Sequence, residues 1–227
     1  MLRVALCISG RGSLVAPLLA AAPGIPMEIS CVVADRPEAP GLTSSWADQV
    51  ETICIDRRQF SAGAASAARG GESGRNGRPG QVAGLGQAEQ LSDAVLEAVC
   101  SRADIVVLAG FLSILKGSIL EVYEGRILNI HPALLPKFGG KGMYGMHVHR
   151  AVLAAGERES GCTVHHVTSG IDSGPIVMQS KVTLSPDETL DSLQNKVRQT
   201  EGPTLIAALK KLAGSLQAEV QGGQICG

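Results

Sequence analysis

The chain is poor in aromatic residues and carries no excess charge of either sign. Only 3% of its 227 residues are aromatic, and 20 lysines and arginines are balanced by 21 acidic residues. Such a balance lacks the electrostatic attraction that non-specific binding to nucleic acids or anionic membranes requires. No apolar run approaches the roughly 20 residues of a membrane-spanning helix. We therefore expect no nucleic-acid partner and no membrane partner, whereas a small charged ligand is compatible with the composition.

Closely spaced cysteines are also lacking. The six cysteines are scattered and form no C-x-x-C pair, so the sequence predicts neither a zinc knuckle nor a redox pair. Several lie in apolar runs, where free cysteine acts as a small hydrophobic residue, and we expect a reducing cytoplasmic location. The charge and two glycines at 10–12 interrupt the N-terminal apolar run, so we interpret this run as a mature strand and not as a secretory signal.

Short apolar, β-branched runs alternate with segments of helical length. The strand-like runs are 2–8, 29–34, 52–55, 104–109, 126–130, 163–168 and 176–184. The helix-like segments are 14–22, 44–50, 89–102, 113–123 and 188–212. This alternation predicts a three-layer α/β fold with a mostly parallel twisted sheet and an antiparallel C-terminal addition.

Residues 61–88 differ from the rest of the chain. They contain eight glycines and three arginines but almost no large apolar side chain. Such a segment buries too little surface to offset its chain entropy, so we interpret it as a flexible insertion. We also expect the tail at 213–227 to be frayed after Gly214.

A glycine-rich turn at 9–13 follows the first strand and opens the first predicted helix. Backbone N–H groups in such a turn can point at an anion, so it is a candidate phosphate site. Val15 stands where the dinucleotide fingerprint G-x-G-x-x-G needs glycine. Asp35 after the second strand nevertheless keeps a nicotinamide-dependent oxidoreductase as an alternative. A simple strand-to-helix turn is the other alternative.

Two polar residues, Asn129 and His131, end an apolar strand. Because they are two positions apart, both point to the same side, at the edge where ligands of parallel sheets bind. Asp172 lies in a tight turn between two late strands, where it either caps the turn or stands beside His131. A carboxylate there would favour the imidazolium, orient the ring and accept a proton.

All five histidines fall between residues 131 and 166, which raises the question of a metal site. No cysteine or acidic residue joins them at a familiar ligand spacing, so we predict no metal.

Several motifs together resemble one enzyme family. They are DIVVLAGFLSIL at 104–115, ILNIHPALLP at 127–136, KGMYG at 141–145, TVH at 163–165 and IDSGPI at 171–176. Over residues 2–212, except 61–88, the chain closely resembles the glycinamide ribonucleotide formyltransferases.

The resemblance implies one Rossmann-like formyltransferase domain over residues 1–227. Residues 1–125 would form a nucleotide-binding half and 126–212 a catalytic and folate-binding half. The enzyme would transfer a formyl group from 10-formyltetrahydrofolate to the glycyl amine of glycinamide ribonucleotide in purine biosynthesis. The folate is then a co-substrate and not a tightly bound cofactor, its partners are small molecules, and the protein is a monomer or a homodimer.

The resemblance also implies roles for individual residues. The catalytic trio is Asn129, His131 and Asp172, with His165 supporting it from behind. The ribonucleotide would contact Gly10, Arg11, Gly12, Ser13, Leu14, Gly110, Pro132 and Glu201. The folate would contact Leu112, Ser113, Ile114, Leu115, Val167, Thr168, Ser169, Gly170 and Ile171. Leu14 departs from the asparagine that is usual in the family at this position.

For the mechanism we expect protonated His131 and the Asn129 amide to stabilise the developing negative oxygen, while Asp172 receives the amine proton. Alternatives within the chemistry are a formyltetrahydrofolate hydrolase and a sugar-nucleotide N-formyltransferase. A methionyl-tRNA formyltransferase would need a further RNA-binding domain, for which little chain follows residue 212. A non-catalytic folate or nucleotide binder is the remaining alternative.

Overall fold

A computed structural model describes residues 1–60 and 86–221. Its centre is one seven-stranded sheet in the order β3-β2-β1-β4-β5-β6-β7. The strands are β1 Leu2–Ile8, β2 Met27–Ala34, β3 Glu51–Cys54, β4 Ile105–Leu108, β5 Ile127–His131, β6 Glu159–His166 and β7 Ile176–Thr183. Strands β1 to β5 are parallel, whereas β6 and β7 pair antiparallel. The predicted fold class is confirmed.

Helices cover both faces of the sheet. They are α1 Val15–Ala21, α2 Gln87–Val99, α3 Ser118–Val122, α4 Met146–Ala154 and α5 Leu190–Gln221. In β1, Leu6 and Ile8 join the core beneath α1 and α5, while Ala5 and Cys7 join the core beneath α2 and α3. A strand buried on both faces needs an uninterrupted apolar run, which is why these strands are legible in the sequence.

The structure corrects some predicted helices. Segment 44–50 contains only the short 3-10 turn Ala47–Gln49, because Trp46 is buried against the core and the chain turns around it. Helix α3 begins at Ser118, five positions after its predicted start, since the preceding residues line a cavity. Helix α4 has no counterpart among the predicted segments.

Two predicted boundaries also move. Most of the predicted insertion, residues 61–85, lies outside the described residues, but Gln87 and Ala88 belong to α2. The Gly86 N–H donates to Glu89 Oε2 at 2.8 Å and so caps this helix. At the other end α5 continues to Gln221, beyond its predicted end at residue 212. Ala213 is buried, which ties the helix to the core beyond residue 212.

The strand order indicates which edge of the sheet can bind a ligand. The order reverses at β1, whose neighbours are β2 and β4, and such a switch point opens a crevice beyond the carboxyl ends of the strands. Antiparallel pairing of β5 with β6 sets Asn129 opposite His165. Side chains from the end of β6 therefore reach the same edge. Among the described residues, no helix is long and apolar enough to cross a membrane.

The last two strands, β6 and β7, pack closely together at Gly161. A Cβ added there would lie 1.9 Å from the carbonyl oxygen of Ser180 in β7, so the strands would have to separate. We expect Gly161→Ala to lower the free energy of unfolding by about 2 kcal/mol or more. Gly24→Ala is the control, because Gly24 is exposed and nothing lies within 4 Å of the added atom. Equal urea midpoints for the two variants would contradict the described packing.

Candidate active site

A cavity of about 540 Å³ opens at the carboxyl edge of the sheet. Its wall includes the turn after β1, the segment after β4, the end of β5, the loop before α4, the β6–β7 connection and one side of α5. This volume lies within the range of small-molecule sites. The cavity is thus placed where the topology predicts ligand binding.

The structure brings Asn129, His131 and Asp172 together in this cavity. The Asn129 Nδ2 lies 3.5 Å from Asp172 Oδ1, and the His131 Nδ1 lies 3.5 Å from Asp172 Oδ2. Both β5 side chains therefore face the same carboxylate, one at each oxygen. Asp172 is held there by the Gly140 N–H, which donates to Oδ2 at 3.0 Å.

His165 completes the polar cluster from β6. Its Nδ1 lies 2.9 Å from the His166 carbonyl oxygen, which only accepts, so Nδ1 carries the hydrogen. The other nitrogen, Nε2, then accepts from Asn129 Nδ2 at 3.1 Å. His165 is 2% exposed, and it fixes the orientation of the Asn129 amide from behind, as the resemblance implies.

The surroundings of His131 shift its pKa. Burial lowers the pKa of His131, and the nearby Asp172 carboxylate and Phe138 carbonyl only partly oppose this. Its Nε2 lies 2.8 Å from the Phe138 carbonyl and donates to it. The pKa of His131 therefore lies below the ordinary histidine value, because desolvation outweighs the attraction of the carboxylate.

Asp172 shows the opposite balance. Burial by itself would raise the pKa of Asp172, but the neighbouring His165 and His131 rings and the Gly140 N–H outweigh it and lower the pKa. The backbone of Asp172 has φ +52°, a left-handed conformation that aspartate and asparagine tolerate better than most residues. Both groups therefore have lowered pKa values, because burial dominates at His131 whereas the polar neighbours dominate at Asp172.

Only some residues of the glycine-rich turn at 9–13 line the cavity. Arg11, Ser13 and Leu14 line it, whereas Gly10 and Gly12 do not. Gly12 has φ +60°, and an added Cβ would lie 2.9 Å from the Trp46 ring. Gly12 is therefore required by the turn and by its close approach to Trp46, so its predicted contact with the ribonucleotide is not supported by its position.

Apart from Gly10 and Gly12, every residue predicted for substrate contact lines the cavity. On the ribonucleotide side these are Gly110, Pro132 and Glu201 in addition to the three turn residues. On the folate side these are Leu112, Ser113, Ile114, Leu115, Val167, Thr168, Ser169, Gly170 and Ile171. Asn129 and His131 line the same cavity.

The cavity is also lined by residues that have no predicted role. They include His149 on α4, Gln194 and Arg198 on α5, and the glycine-rich segment 140–145. Positions 194, 198 and 201 are spaced by four and three residues, so they share one face of α5. Helical spacing from Glu201 therefore suffices to find Gln194 and Arg198 in the sequence. Burial raises the pKa of Glu201, and Arg198 opposes this shift.

Asp35 does not serve as the ribose ligand of a dinucleotide site. Its side chain is 0% exposed, and its Oδ2 accepts from Ser113 Oγ at 2.7 Å. Arg57 Nη1 lies 3.5 Å from the same oxygen. With the carboxylate closed off and Val15 buried where a fingerprint glycine belongs, this geometry argues against the oxidoreductase alternative. In the described part of the chain no three histidine, cysteine or acidic residues form a possible metal cluster.

A Rossmann-like sheet with an amide, an imidazole and a carboxylate converging in its switch-point cavity defines a group-transfer enzyme. Residues 2–209 match the family described as formyl transferase, and the chain belongs to that family.

Individual relatives agree with this assignment. A phosphoribosylglycinamide formyltransferase of Haemophilus influenzae is 29% identical over 88% of this chain and 82% of its own length. A trifunctional purine biosynthetic protein of Drosophila melanogaster is 34% identical over 88% of this chain, which spans only 13% of that protein. The crystal structure of a phosphoribosylglycinamide formyltransferase from Brucella melitensis is 36% identical, with a TM-score of 0.72 over 93% of this chain and 95% of that one.

The ionisation of His131 can be measured directly. We expect NMR titration of ring-labelled protein to show His131 titrating below the ordinary histidine value of about 6.5, because burial lowers its pKa. In Asp172→Asn the pKa should fall further, since the carboxylate that raises it is lost. A wild-type value above that of free histidine, or a rise in the variant, would contradict the described electrostatics.

Proposed function

We propose that the chain transfers a formyl group from 10-formyltetrahydrofolate to the glycyl amine of glycinamide ribonucleotide. The observation that carries the proposal is the position of Asp172, whose two carboxylate oxygens face Asn129 and His131 within one cavity. The printed names of the relatives in Haemophilus influenzae and Brucella melitensis support the same reaction.

The first step is attack of the neutral amine on the formyl carbon. A C–N bond forms, and negative charge develops on the formyl oxygen. The contact of Asn129 Nδ2 with Asp172 is long, at 3.5 Å, so one amide hydrogen is weakly engaged and can turn to that oxygen. Removal of one such donor typically costs on the order of 10²- to 10³-fold in rate.

The second step moves the proton of the amine. Neutral His131 accepts it as the amine attacks, directly or through water, and becomes an imidazolium beside Asp172. The carboxylate then stabilises the charge that the transition state creates. When the bond between the formyl carbon and the folate nitrogen breaks, the imidazolium returns this proton to that nitrogen. The ring thus begins and ends the reaction neutral.

The two substrates would occupy opposite ends of the cavity. We place the ribonucleotide between the turn residues Arg11 and Ser13 and the α5 residues Arg198 and Glu201. Two arginines there suit a phosphate, and a carboxylate suits ribose hydroxyls. The folate would lie along 112–115 and 167–171. Residues 1–125 then hold most of the nucleotide contacts and 126–212 supply the catalytic trio.

The same proposal includes the cellular setting. The folate acts as a co-substrate that leaves after each turnover, and the reaction belongs to purine biosynthesis. The cysteines of the described residues are free thiols, several of them buried, which suits a reducing cytoplasmic compartment.

The reaction can be followed by absorbance with 10-formyl-5,8-dideazafolate as donor. We expect loss of the formyl group only when glycinamide ribonucleotide is present, because its amine is the nucleophile. Loss at the same rate without the amine would identify a hydrolase. Loss with an amino-sugar nucleotide but not with glycinamide ribonucleotide would identify a different acceptor.

Asp172→Asn isolates the carboxylate charge. Asparagine keeps the size of the side chain and tolerates the positive φ, but it cannot stabilise the imidazolium. We expect kcat to fall by about 10²- to 10⁴-fold, with the dissociation constant for the ribonucleotide nearly unchanged in calorimetry.

The matched control is Asp104→Asn, which removes a carboxylate paired with Arg3 at 2.8 Å. Asp104 precedes β4, at the end of the sheet opposite the cavity, so this variant should keep the wild-type kcat. A kcat for Asp172→Asn within the range of the control would remove Asp172 from the mechanism.

A further inference from the structure

Asp35, directly after β2, is an acidic residue sealed inside the protein. It is 0% exposed, and two arginines approach it, Arg57 Nη1 at 3.5 Å from Oδ2 and Arg36 Nε at 3.8 Å from Oδ1. The proposed chemistry does not use it, because Asp172 supplies the carboxylate of the reaction. Its strongest contact is the bond that it accepts from Ser113 Oγ at 2.7 Å.

Ser113 belongs to the segment 110–115, which lines the cavity and forms neither helix nor strand. Phe111 and Leu115 are buried in the core, but between them Leu112 is 46% and Ile114 is 50% exposed. Burial therefore fixes the two ends of the segment, and polar bonds hold its middle. Besides the bond to Asp35, the Leu112 N–H donates to Ser9 Oγ at 2.8 Å, and Arg36 donates to the Ser9 carbonyl.

We propose that Asp35 is a positioning residue for the donor substrate. It acts through Ser113 to hold segment 110–115 in the conformation that binds the folate donor. This rests on the proposed function in so far as the donor is the ligand of this segment. The exposed apolar side chains of Leu112 and Ile114 then face a flat ring system, while the carboxylate fixes the backbone between them.

The alternative is that Asp35 only stabilises the fold. The incomplete hydrogen bonding of Asp35 and its arginine neighbours argues against this alternative. A buried ion pair adds stability only when its remaining polar atoms are satisfied. Here Asp35 Oδ1 and Arg36 Nε are both buried without a hydrogen-bond partner. The well-formed bond is the one that reaches the cavity wall, so the geometry favours positioning.

The kinetic test compares Asp35→Ala, Ser113→Ala and the double variant. We expect the KM for 10-formyl-5,8-dideazafolate to rise about tenfold in each single variant, the effect of losing one hydrogen bond to a charged group. The KM for the ribonucleotide and kcat should stay within about twofold. The double variant should resemble either single variant, because both remove the same link. Asp104→Ala is the control, since its ion pair with Arg3 lies at the opposite end of the sheet.

A second readout needs no turnover. Amide hydrogen exchange of segment 110–115, measured without substrates, should be about tenfold faster in Asp35→Ala and Ser113→Ala and unchanged in Asp104→Ala. If the wild-type protein transfers no formyl group, the proposed function fails while the exchange data still decide the positioning. An unchanged donor KM, unchanged exchange, or additive effects in the double variant would overturn the proposal. Ser113→Ala leaves the ion pairs of Asp35 intact, so it decides the matter even if Asp35→Ala does not fold.

Discussion

One half-buried carboxylate orients the polar groups of the active site. Asp172 offers one oxygen to His131 and the other to Asn129, and the Gly140 N–H fixes its position. Without this acceptor, the amide and the ring would be oriented only by His165 and by the Phe138 carbonyl. The pKa values of Asp172 and His131 are both lowered, because burial outweighs the attraction of the carboxylate at His131, whereas the polar neighbours outweigh burial at Asp172.

The change of strand direction in the sheet makes this arrangement available. The last residues of the parallel strand β5 lie at the carboxyl edge, and the antiparallel neighbour β6 adds a further side chain there. His165 reaches Asn129 because the two are directly paired across β5 and β6. Strands are more rigid than loops, so the amide of Asn129 is held between two fixed elements. The loop that carries Asp172 has only to supply one further group.

Much of the fold could be predicted because its strands are buried on both faces, so β1 reads as an unbroken apolar run. The position of Asn129 and His131 on the same side of β5 followed from the two-residue period of a strand. The position of Asp172 did not follow from local pattern, since it depends on how β6 and β7 connect, and it was expected from family resemblance. The lowered pKa of His131 and the turn around Trp46 were not predictable, because both depend on burial by residues distant in sequence.

The central place of β1 has a consequence for the nascent chain. β1 pairs with β2 on one side and with β4 on the other, yet Ile105, where β4 starts, is made about a hundred residues after Leu2. As the ribosome releases the N-terminal half, β2 can close one edge of β1 early, while the other edge keeps its backbone groups unpaired until β4 emerges. Synthesis of this protein therefore passes through an interval in which its future central strand is an open edge, a state in which chaperone binding competes with aggregation.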